Sequence, residues 1–219
     1  MTSTSIRIAA FVLMACCATA NAAKKDAPWV GSSLDGMNCS GGSAGNFGPF
    51  DYRSDKDKLP VVENRHFTPE IEQLQRGQTT ANPMGDVQYT LVKFPNHHRA
   101  LYSAVRYSLT ATSSGERRKY PPAECFLQRA IAFSPDDSVP HMLYGLYLHR
   151  KGKLERSLDS YRVAEKLAPN DANLLYNLGL VLFDTGQYAE SSRYAHRAYD
   201  YGITLPGLKR KLQQAGHWK

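Results

Sequence analysis

Apolar residues between positions 138 and 205 recur at intervals of three and four, which is the spacing of an amphipathic helix. The clearest stripe consists of Leu154, Leu158, Tyr161, Ala164 and Ala168. An earlier helix opens at Val139-Pro140, and the turn Lys151-Gly152-Lys153 separates the two. The pattern therefore predicts a helical hairpin that stops at Pro169, with Asp171 as N-cap of the next helix.

The same pattern returns 34 residues later, from Leu175 to Leu205. The recurring pairs are Gly145 and Gly179, Leu148 and Leu182, Gly152 and Gly186, Ser157 and Ser191, and Ala164 and Ala198. A fixed period of this length indicates repeated units, each of which buries its apolar face only against its neighbours. Gly145 and Ala164 are small where two helices must approach closely, so bulkier residues there would push the helices apart.

A degraded third copy precedes these two, in residues 98–135. Its small residue Ala130 lies 34 residues before Ala164. We expect the first helix of this copy at residues 98–112. A longer basic loop, residues 113–121, is expected to separate it from the second helix.

These residues resemble the tetratricopeptide repeat (TPR): a Leu/Tyr-Gly pair, a glycine turn, a small residue and a closing proline. The resemblance covers three copies, at residues 98–135, 138–171 and 172–205, and in the last copy Ile203 stands where the closing proline is expected. It implies an all-α fold, a solenoid of about three helical hairpins. Residues 206–219 are predicted to form a capping helix over the open end.

By this resemblance, the first helices of successive repeats line a concave groove that binds a protein or peptide. The groove positions are Arg99, Tyr102, Arg106, Met142, Leu146, His149, Arg150, Asn173, Tyr176, Asn177, Leu180 and Phe183. They are mainly apolar and aromatic with a few cations, which suits an extended or helical peptide. The alternative is that half of them pack against the N-terminal segment, which would then fill the groove.

One subtype of the family clamps a C-terminal carboxylate with lysines and asparagines at set groove positions. Only Asn177 matches that pattern, because Met142 and Val139 stand where lysine is required. We therefore do not expect a chaperone-tail ligand of that kind.

Residues 23–97 lack the period and are expected to be mostly irregular, with glycine and serine concentrated at residues 31–48. Thr68-Pro69 predicts a short helix near residues 69–76. A short strand or extended run is predicted at the alternating residues Val87, Tyr89 and Leu91. We expect this segment to lie along the solenoid rather than to fold alone.

The first 22 residues have the pattern of a cleaved signal peptide. The apolar run at residues 8–20 is too short to span a membrane, which takes about 20 residues. Ala20-Asn21-Ala22 supplies the small residues of a cleavage site, so we predict an exported, periplasmic protein of a bacterium. The alternative is an outer-membrane lipoprotein, because Leu13-Met14-Ala15-Cys16 resembles a lipobox and would place a lipid on Cys16.

Cleavage after Ala22 leaves two cysteines, Cys39 and Cys125. In an oxidising compartment such a pair predicts a disulfide. Closing a loop of this length contributes roughly 4–5 kcal/mol in the chain-entropy model. The alternative is two unpaired thiols.

The formal net charge of +7 is dispersed along the chain, and residues 116–119 form its densest cluster. A dispersed excess suits solubility and weak attraction to acidic partners rather than dedicated nucleic-acid binding. We therefore expect a protein or peptide partner in the cell envelope and no nucleic acid. Membrane contact is expected only if Cys16 is lipidated.

The alternative function is a small exported enzyme or metal-binding protein that uses residues 23–97. His97 and His98, with His66, are the candidate ligands, but adjacent residues of a helix point about 100° apart and do not easily chelate one ion. We expect Asn96 to cap that helix instead. The sequence contains no CxxC or P-loop pattern. We therefore predict a scaffold without catalytic residues, metal or cofactor.

Overall fold

The computed structural model describes residues 26–110 and 119–218 of the 219-residue chain. The regular structure of those residues is ten α-helices, a 3₁₀ turn at Lys56–Lys58 and one isolated bridge between Ser32 and Asn38. The helices are α1 (Leu59–His66), α2 (Pro69–Glu72), α3 (Pro83–Lys93), α4 (His98–Thr110), α5 (Ala123–Phe133), α6 (Ser138–Arg150), α7 (Leu154–Leu167), α8 (Ala172–Asp184), α9 (Tyr188–Asp200) and α10 (Gly207–Gln214). The predicted all-α class is confirmed.

Three helical hairpins follow one another: α4 with α5, α6 with α7, and α8 with α9. The turn inside the second hairpin contains Gly152 at φ +69°, and the turn inside the third contains Gly186 at φ +77°. Glycine adopts this left-handed backbone without strain, so each helix can end in a short turn. Asp171 caps α8 as predicted, since its Oδ1 accepts a hydrogen bond from the Leu174 N–H at 2.9 Å. The helical-hairpin solenoid is therefore confirmed.

The last two hairpins are closed by the same serine-to-glycine hydrogen bond. A Cβ atom on Gly145 would stand 2.9 Å from the ring of Tyr161, so the two helices of that hairpin touch directly. Ser157 Oγ donates to the Gly145 carbonyl at 2.7 Å, and Ser191 Oγ donates to the Gly179 carbonyl at 2.7 Å. The 34-residue period thus repeats a hydrogen bond as well as a residue pattern.

The buried apolar residues form two clusters, and the half-buried Leu146 packs against both. The N-terminal cluster includes Val87 of α3 and extends into α6. The C-terminal cluster surrounds Leu175 of α8. Leu208 and Leu212 of α10 belong to it and are fully buried, so α10 covers the end of the solenoid as predicted.

A turn of one geometry follows α3, α5 and α7. The residues that end these helices, Phe94, Ser134 and Ala168, have φ values of −126°, −139° and −142°. Three residues later an N–H bonds back to the same residue's carbonyl, as His97 does to Phe94 at 3.0 Å and Asp171 does to Ala168 at 3.3 Å. Helix α3 therefore occupies the place of a second helix, packed against α1 and α2. The array extends one truncated hairpin further toward the N-terminus than predicted.

The strand predicted at Val87, Tyr89 and Leu91 is wrong, because these residues lie in α3. Val87 and Leu91 are four residues apart and fully buried, whereas Tyr89 is 40% exposed. A short run of alternating apolar residues fits a helix as well as a strand. An N-cap residue before the run distinguishes the helix from the strand. Asn82 is that residue, since its side chain accepts a hydrogen bond from the Met84 N–H at 2.8 Å.

The short helix predicted near residues 69–76 is present but ends at Glu72, before Gly77. Leu74 adopts a left-handed backbone with φ +61°, and its N–H donates to the Ile71 carbonyl at 2.9 Å. This is the helix-ending arrangement usually formed by glycine. The left-handed backbone at Leu74 therefore ends the helix several residues before Gly77, the residue at which the sequence predicts its end.

Residues 26–55, which we name the strap, lack helices as predicted and run along α3 and α5. The predicted disulfide between Cys39 and Cys125 is present and fixes the strap to α5. Close to it, Gln128 Nε2 donates to the Ser32 carbonyl at 2.9 Å. The strap therefore lies along the solenoid, as expected.

The predicted signal peptide, the lipobox and most of the loop at residues 113–121 lie outside the described residues. In the part of the chain that the structure describes, no helix is long and apolar enough to cross a membrane.

Candidate functional site

The first helices α4, α6 and α8 lie side by side, and we call the face formed by their twelve predicted positions the groove. Four of these residues are exposed, namely Arg99, Tyr102, Arg150 and Asn173. Seven are half-buried, namely Arg106, Met142, Leu146, His149, Asn177, Leu180 and Phe183. Only Tyr176 is buried, so most of the groove is accessible.

The α4 part of the groove is basic and aromatic. The Arg99 guanidinium lies against the Phe67 ring and pairs with the Glu72 carboxylate, with Nε 2.8 Å from Oε1. Arg106 lies 6.0 Å from the centroid of the Tyr102 ring. Tyr102 is 47% exposed, which makes it the most accessible aromatic side chain of the groove.

The α6 part has an apolar floor and a polar end. Met142 and Leu146 pack against the C-terminal cluster. At the end of the helix, His149 Nε2 lies 2.8 Å from Asp184 Oδ2 of α8 and so joins the two first helices. The next residue, Arg150, is exposed at the helix end.

The α8 part contributes amide and apolar side chains. Asn177 is half-buried, and its Nδ2 donates to the Asn173 carbonyl at 2.8 Å. Leu180 and Phe183 pack against the C-terminal cluster with part of their surface open. Lys211 of α10 lies 5.0 Å from the centroid of the Phe183 ring, so the capping helix borders the groove.

Tyr176 was predicted as a groove residue, but the structure places it under α10. Its side chain is 8% exposed, and its hydroxyl accepts a hydrogen bond from the Leu208 N–H at 3.2 Å. A helix N-terminus leaves N–H groups without partners inside the helix, and Tyr176 satisfies one of them. This residue therefore holds the cap rather than a ligand.

Asp184 is the point where α6, α8 and α10 meet. Its Oδ1 accepts a hydrogen bond from Lys211 Nζ at 2.8 Å, while Oδ2 faces His149. Burial opposes ionisation of this carboxyl, but the hydrogen bonds from Lys211 and His149 outweigh it and keep the pKa of Asp184 below its usual value. Both oxygens of the Asp184 carboxylate thus have partners within the protein.

The strap approaches second helices rather than the groove. The Trp29 ring packs edge-on against Phe126 of α5, with 5.3 Å between centroids. The Leu34 N–H donates to Glu124 Oε1, also on α5, at 2.9 Å. Among the described residues, every polar contact between the groove and residues 26–97 is made by a groove residue of α4. The N-terminal segment therefore packs against the α4 part of the groove, as the alternative expected for half of the positions, but makes no such polar contact with the α6 and α8 parts.

Arg129 of α5 holds the strap through a hydrogen bond to its backbone. Its side chain is almost fully buried and donates to the carbonyls of Ala27 at 2.8 Å and Leu91 at 2.7 Å. Burial lowers the pKa of Arg129 to about 10, partly offset by the nearby Asp26. A cleft of about 340 Å³ lies beside it, lined by Trp29 and the glycine-rich part of the strap. Sequence reasoning missed this arginine because an isolated basic residue in a helix carries no signal of burial.

Asn96 does not cap α4, contrary to the prediction, but connects three segments of chain. Its Oδ1 accepts a hydrogen bond from the Tyr52 N–H at 2.9 Å. Its Nδ2 donates to Asp51 at 2.9 Å and to Asp137 at 3.0 Å. Burial opposes ionisation of Asp51, but the hydrogen bonds from Asn96 and Ser134 hold the pKa of Asp51 far below its usual value.

His97 caps α4 instead and is fully buried. Its Nδ1 accepts a hydrogen bond from the Ala100 N–H at 3.2 Å, which places the ring proton on Nε2. Nε2 then donates to Glu63 Oε1 at 2.8 Å. Burial lowers the pKa of His97 although Glu63 opposes the shift, so the ring is neutral at pH 7.

The three candidate metal ligands do not meet. His97 faces Glu63, His98 Nε2 faces Asp137 at 2.8 Å, and His66 Nδ1 faces Asp86 at 2.9 Å. Among the residues that the structure describes, no group of three or more His, Cys, Asp or Glu side chains could hold a metal ion. Each imidazole serves a separate structural contact.

A family model described as the TPR repeat matches residues 145–186. The match runs from the close-contact glycine of α6 to the turn glycine after α8, and so covers the region in which the period is clearest. No curated protein matches the chain. The resemblance drawn from the sequence is thereby confirmed for the repeats.

Proposed function

We propose that this chain, which is a TPR-repeat protein, is an exported scaffold or adaptor that binds a partner protein through its groove. TPR repeats generally mediate protein–protein interaction and are generally not enzymes. The proposal assigns the partner to the cell envelope of a bacterium. It gives the chain no catalytic role.

One observation carries the proposal: three adjacent first helices present accessible side chains on one face, while the strap is fixed to α5. Tyr102, Leu146 and Phe183 offer aromatic and aliphatic surface on three successive helices. Apolar anchors spaced over neighbouring helices, with polar groups between them, are the usual features of a groove that binds a peptide.

Two further observations support the exported location. The apolar run at residues 8–20 and the small residues before Ala23 have the pattern of a signal peptide. The disulfide between Cys39 and Cys125 is of the kind that persists in oxidising compartments.

The groove is tested with a photo-crosslinking amino acid placed at Tyr102 or, as a control, at Val163 of α7. Both side chains are exposed, at 47% and 39%, but only Tyr102 belongs to the groove. We expect a discrete crosslinked product in the envelope fraction from position 102 and none from position 163. The product must also be lost when Arg150→Ala and Asn173→Ala are introduced together. Equal products from both positions would contradict the proposal.

The location is tested by the mass of the mature protein purified from the envelope fraction. Cleavage after Ala22 predicts a chain that begins at Ala23 and contains one disulfide. A chain that begins at a lipid-modified Cys16 would instead establish the lipoprotein alternative. A full-length chain found only in the cytoplasm would refute the exported location.

A further inference from the structure

The charged residues of the solenoid are divided unequally between its first and second helices. The groove helices α4, α6 and α8, with Lys211 of α10 at the edge of the groove, carry four cations and one carboxylate, Asp184. The cations are Arg99, Arg106, Arg150 and Lys211. The second helices α5, α7 and α9 carry six cations and six carboxylates. Formal positive charge is therefore concentrated on the groove side alone.

On the second helices the charges compensate one another. Arg162 pairs with Glu190, with 2.5 Å between Nη2 and Oε1, and with Glu165 at 3.3 Å. Arg197 reaches the same Glu165 carboxylate at 3.2 Å. These pairs join α7 to α9 and leave little net field outside that face.

On the groove side two cations remain available. Arg106 and Arg150 have no carboxylate within ion-pair distance among the described residues. The one carboxylate there, Asp184, is already bound to His149 and Lys211. A positively charged partner would therefore meet unpaired cations and no free anion.

The available cations alternate with apolar surface. Arg106 lies beside Tyr102 on α4, and Arg150 follows Leu146 on the same face of α6. Leu180 and Phe183 continue the apolar surface on α8. A matching ligand needs carboxylate side chains spaced between apolar ones, because each unpaired guanidinium is best satisfied by a carboxylate.

We propose that the groove recognises an acidic segment of its partner, in which Asp or Glu side chains alternate with apolar residues. This rests on the proposed function, since it names the chemistry of the ligand at the same groove. The recognition differs from a clamp on a terminal carboxylate, because Met142 and Val139 leave no lysine at the positions that such a clamp requires.

The experiment selects random twelve-residue peptides, displayed on phage, on the mature disulfide-bonded protein. We expect the enriched peptides to contain clearly more Asp and Glu than Lys and Arg. The double substitution Arg106→Glu with Arg150→Glu should weaken the best selected peptide at least about tenfold, and added salt should weaken it as well. The control, Lys166→Glu with Arg193→Glu on α7 and α9, makes the same change of net charge and should alter binding less than about twofold.

The outcomes separate the two proposals. If the selected peptides are lost with Tyr102→Ala but show no acidic excess, the groove binds peptides and the acidic partner is refuted. If their binding ignores both Tyr102→Ala and the groove charge reversal, the groove is not the binding surface and the proposed function fails too. Enrichment of no peptide would refute recognition of a linear acidic segment. Thermal unfolding of each variant, followed by circular dichroism, confirms that the variants are folded.

Discussion

The repeats at residues 138–200 and the N-terminal region at residues 26–97 are held in place by contacts of very different sequence range. In the repeats the decisive hydrogen bonds join residues 12 apart, such as Ser157 and Gly145. In the N-terminal region they join residues much farther apart, such as Asn96 and Tyr52, with a separation of 44, and Arg129 and Ala27, with a separation of 102. The repeats are thus stabilised one hairpin at a time, whereas the N-terminal region depends on a few long-range connections.

This difference has an entropic cause. Bringing distant residues together costs loop-closure entropy, and a covalent link removes part of that cost from the unfolded chain. The disulfide and the Asn96 contacts act on the N-terminal region, whereas α8 and α10 are joined by hydrogen bonds of shorter range, from Lys211 to Asp184 over 27 residues and from Leu208 to Tyr176 over 32 residues. Loss of one connection should therefore loosen one region and spare the other.

The largest effect is expected from removal of the disulfide by Cys39→Ser with Cys125→Ser. The link joins residues separated by 86 positions, so its loss should lower the free energy of unfolding by about 3–5 kcal/mol. Denaturant unfolding measures that change, and hydrogen exchange locates it. Faster exchange should appear in the strap and α3 first, while α8 and α9 keep their protection under native conditions. Uniform loss of protection would show that the two regions are not separable.

A smaller effect is expected from Asn96→Ala, which removes three hydrogen bonds and leaves the Tyr52 N–H without its acceptor. We expect a loss of about 2–3 kcal/mol in the free energy of unfolding. Asn170→Ala is the matched control, because Asn170 follows Pro169, the closing proline of the repeat at residues 138–171, as Asn96 follows Pro95, but it is exposed. It should cost less than about 0.5 kcal/mol. Equal costs at the two sites would contradict the comparison.

The smallest effect concerns pH and His97. Its pKa is lowered in the folded protein, mainly by burial, while the unfolded chain takes up a proton near pH 6.5. Below that pH the unfolded state binds more protons, so the free energy of unfolding decreases as the pH falls. His97→Asn keeps a cap acceptor for α4 but does not titrate.

We therefore expect unfolding curves at about pH 7.5 and about pH 5.5 to differ less for His97→Asn than for the parent. The charged or titratable groups that face His97 are Glu63, Arg99 and Tyr52, and all three remain in the variant. Glu63 also has a lowered pKa because of its hydrogen bond with His97, but it titrates at more acidic pH. Parallel pH dependence in the two proteins would rule out His97 as the cause.

The repeats could be predicted from the sequence because their contacts are local. Gly145, Ser157 and Asp171 each contact residues within about half of the 34-residue period. The local sequence pattern that identifies these residues therefore also predicts their contacts. The capping helix could be predicted for the same reason, since Leu208 and Leu212 form one apolar stripe. Of the twelve predicted groove positions, eleven are at least partly accessible, whereas Tyr176 is covered by α10; their role in binding stays a prediction.

The N-terminal region could not be predicted because its signals are non-local or ambiguous. The alternation at Val87, Tyr89 and Leu91 fits both a strand and a helix. Only the N-cap at Asn82 shows that the segment is a helix. One usable signal was missed: Pro95-Asn96 matches Pro169-Asn170 and marks α3 as a second helix. It lies 40 rather than 34 residues before Pro135, because more residues separate α4 from α5 than separate the two helices of the later hairpins.

The unequal charge of the two helix rows also has a kinetic consequence. A molecule that is positive on one face and neutral on the other rotates in the field of an acidic partner as the two approach. More encounters then begin with the groove already turned toward its ligand, which raises the association rate more than the lifetime of the complex. The rate advantage would shrink as ionic strength rises, since exposed charges more than about 8 Å apart are already largely screened at physiological salt. The long-range field would thus set the association rate, and the contacts of the apolar side chains would set the lifetime of the complex.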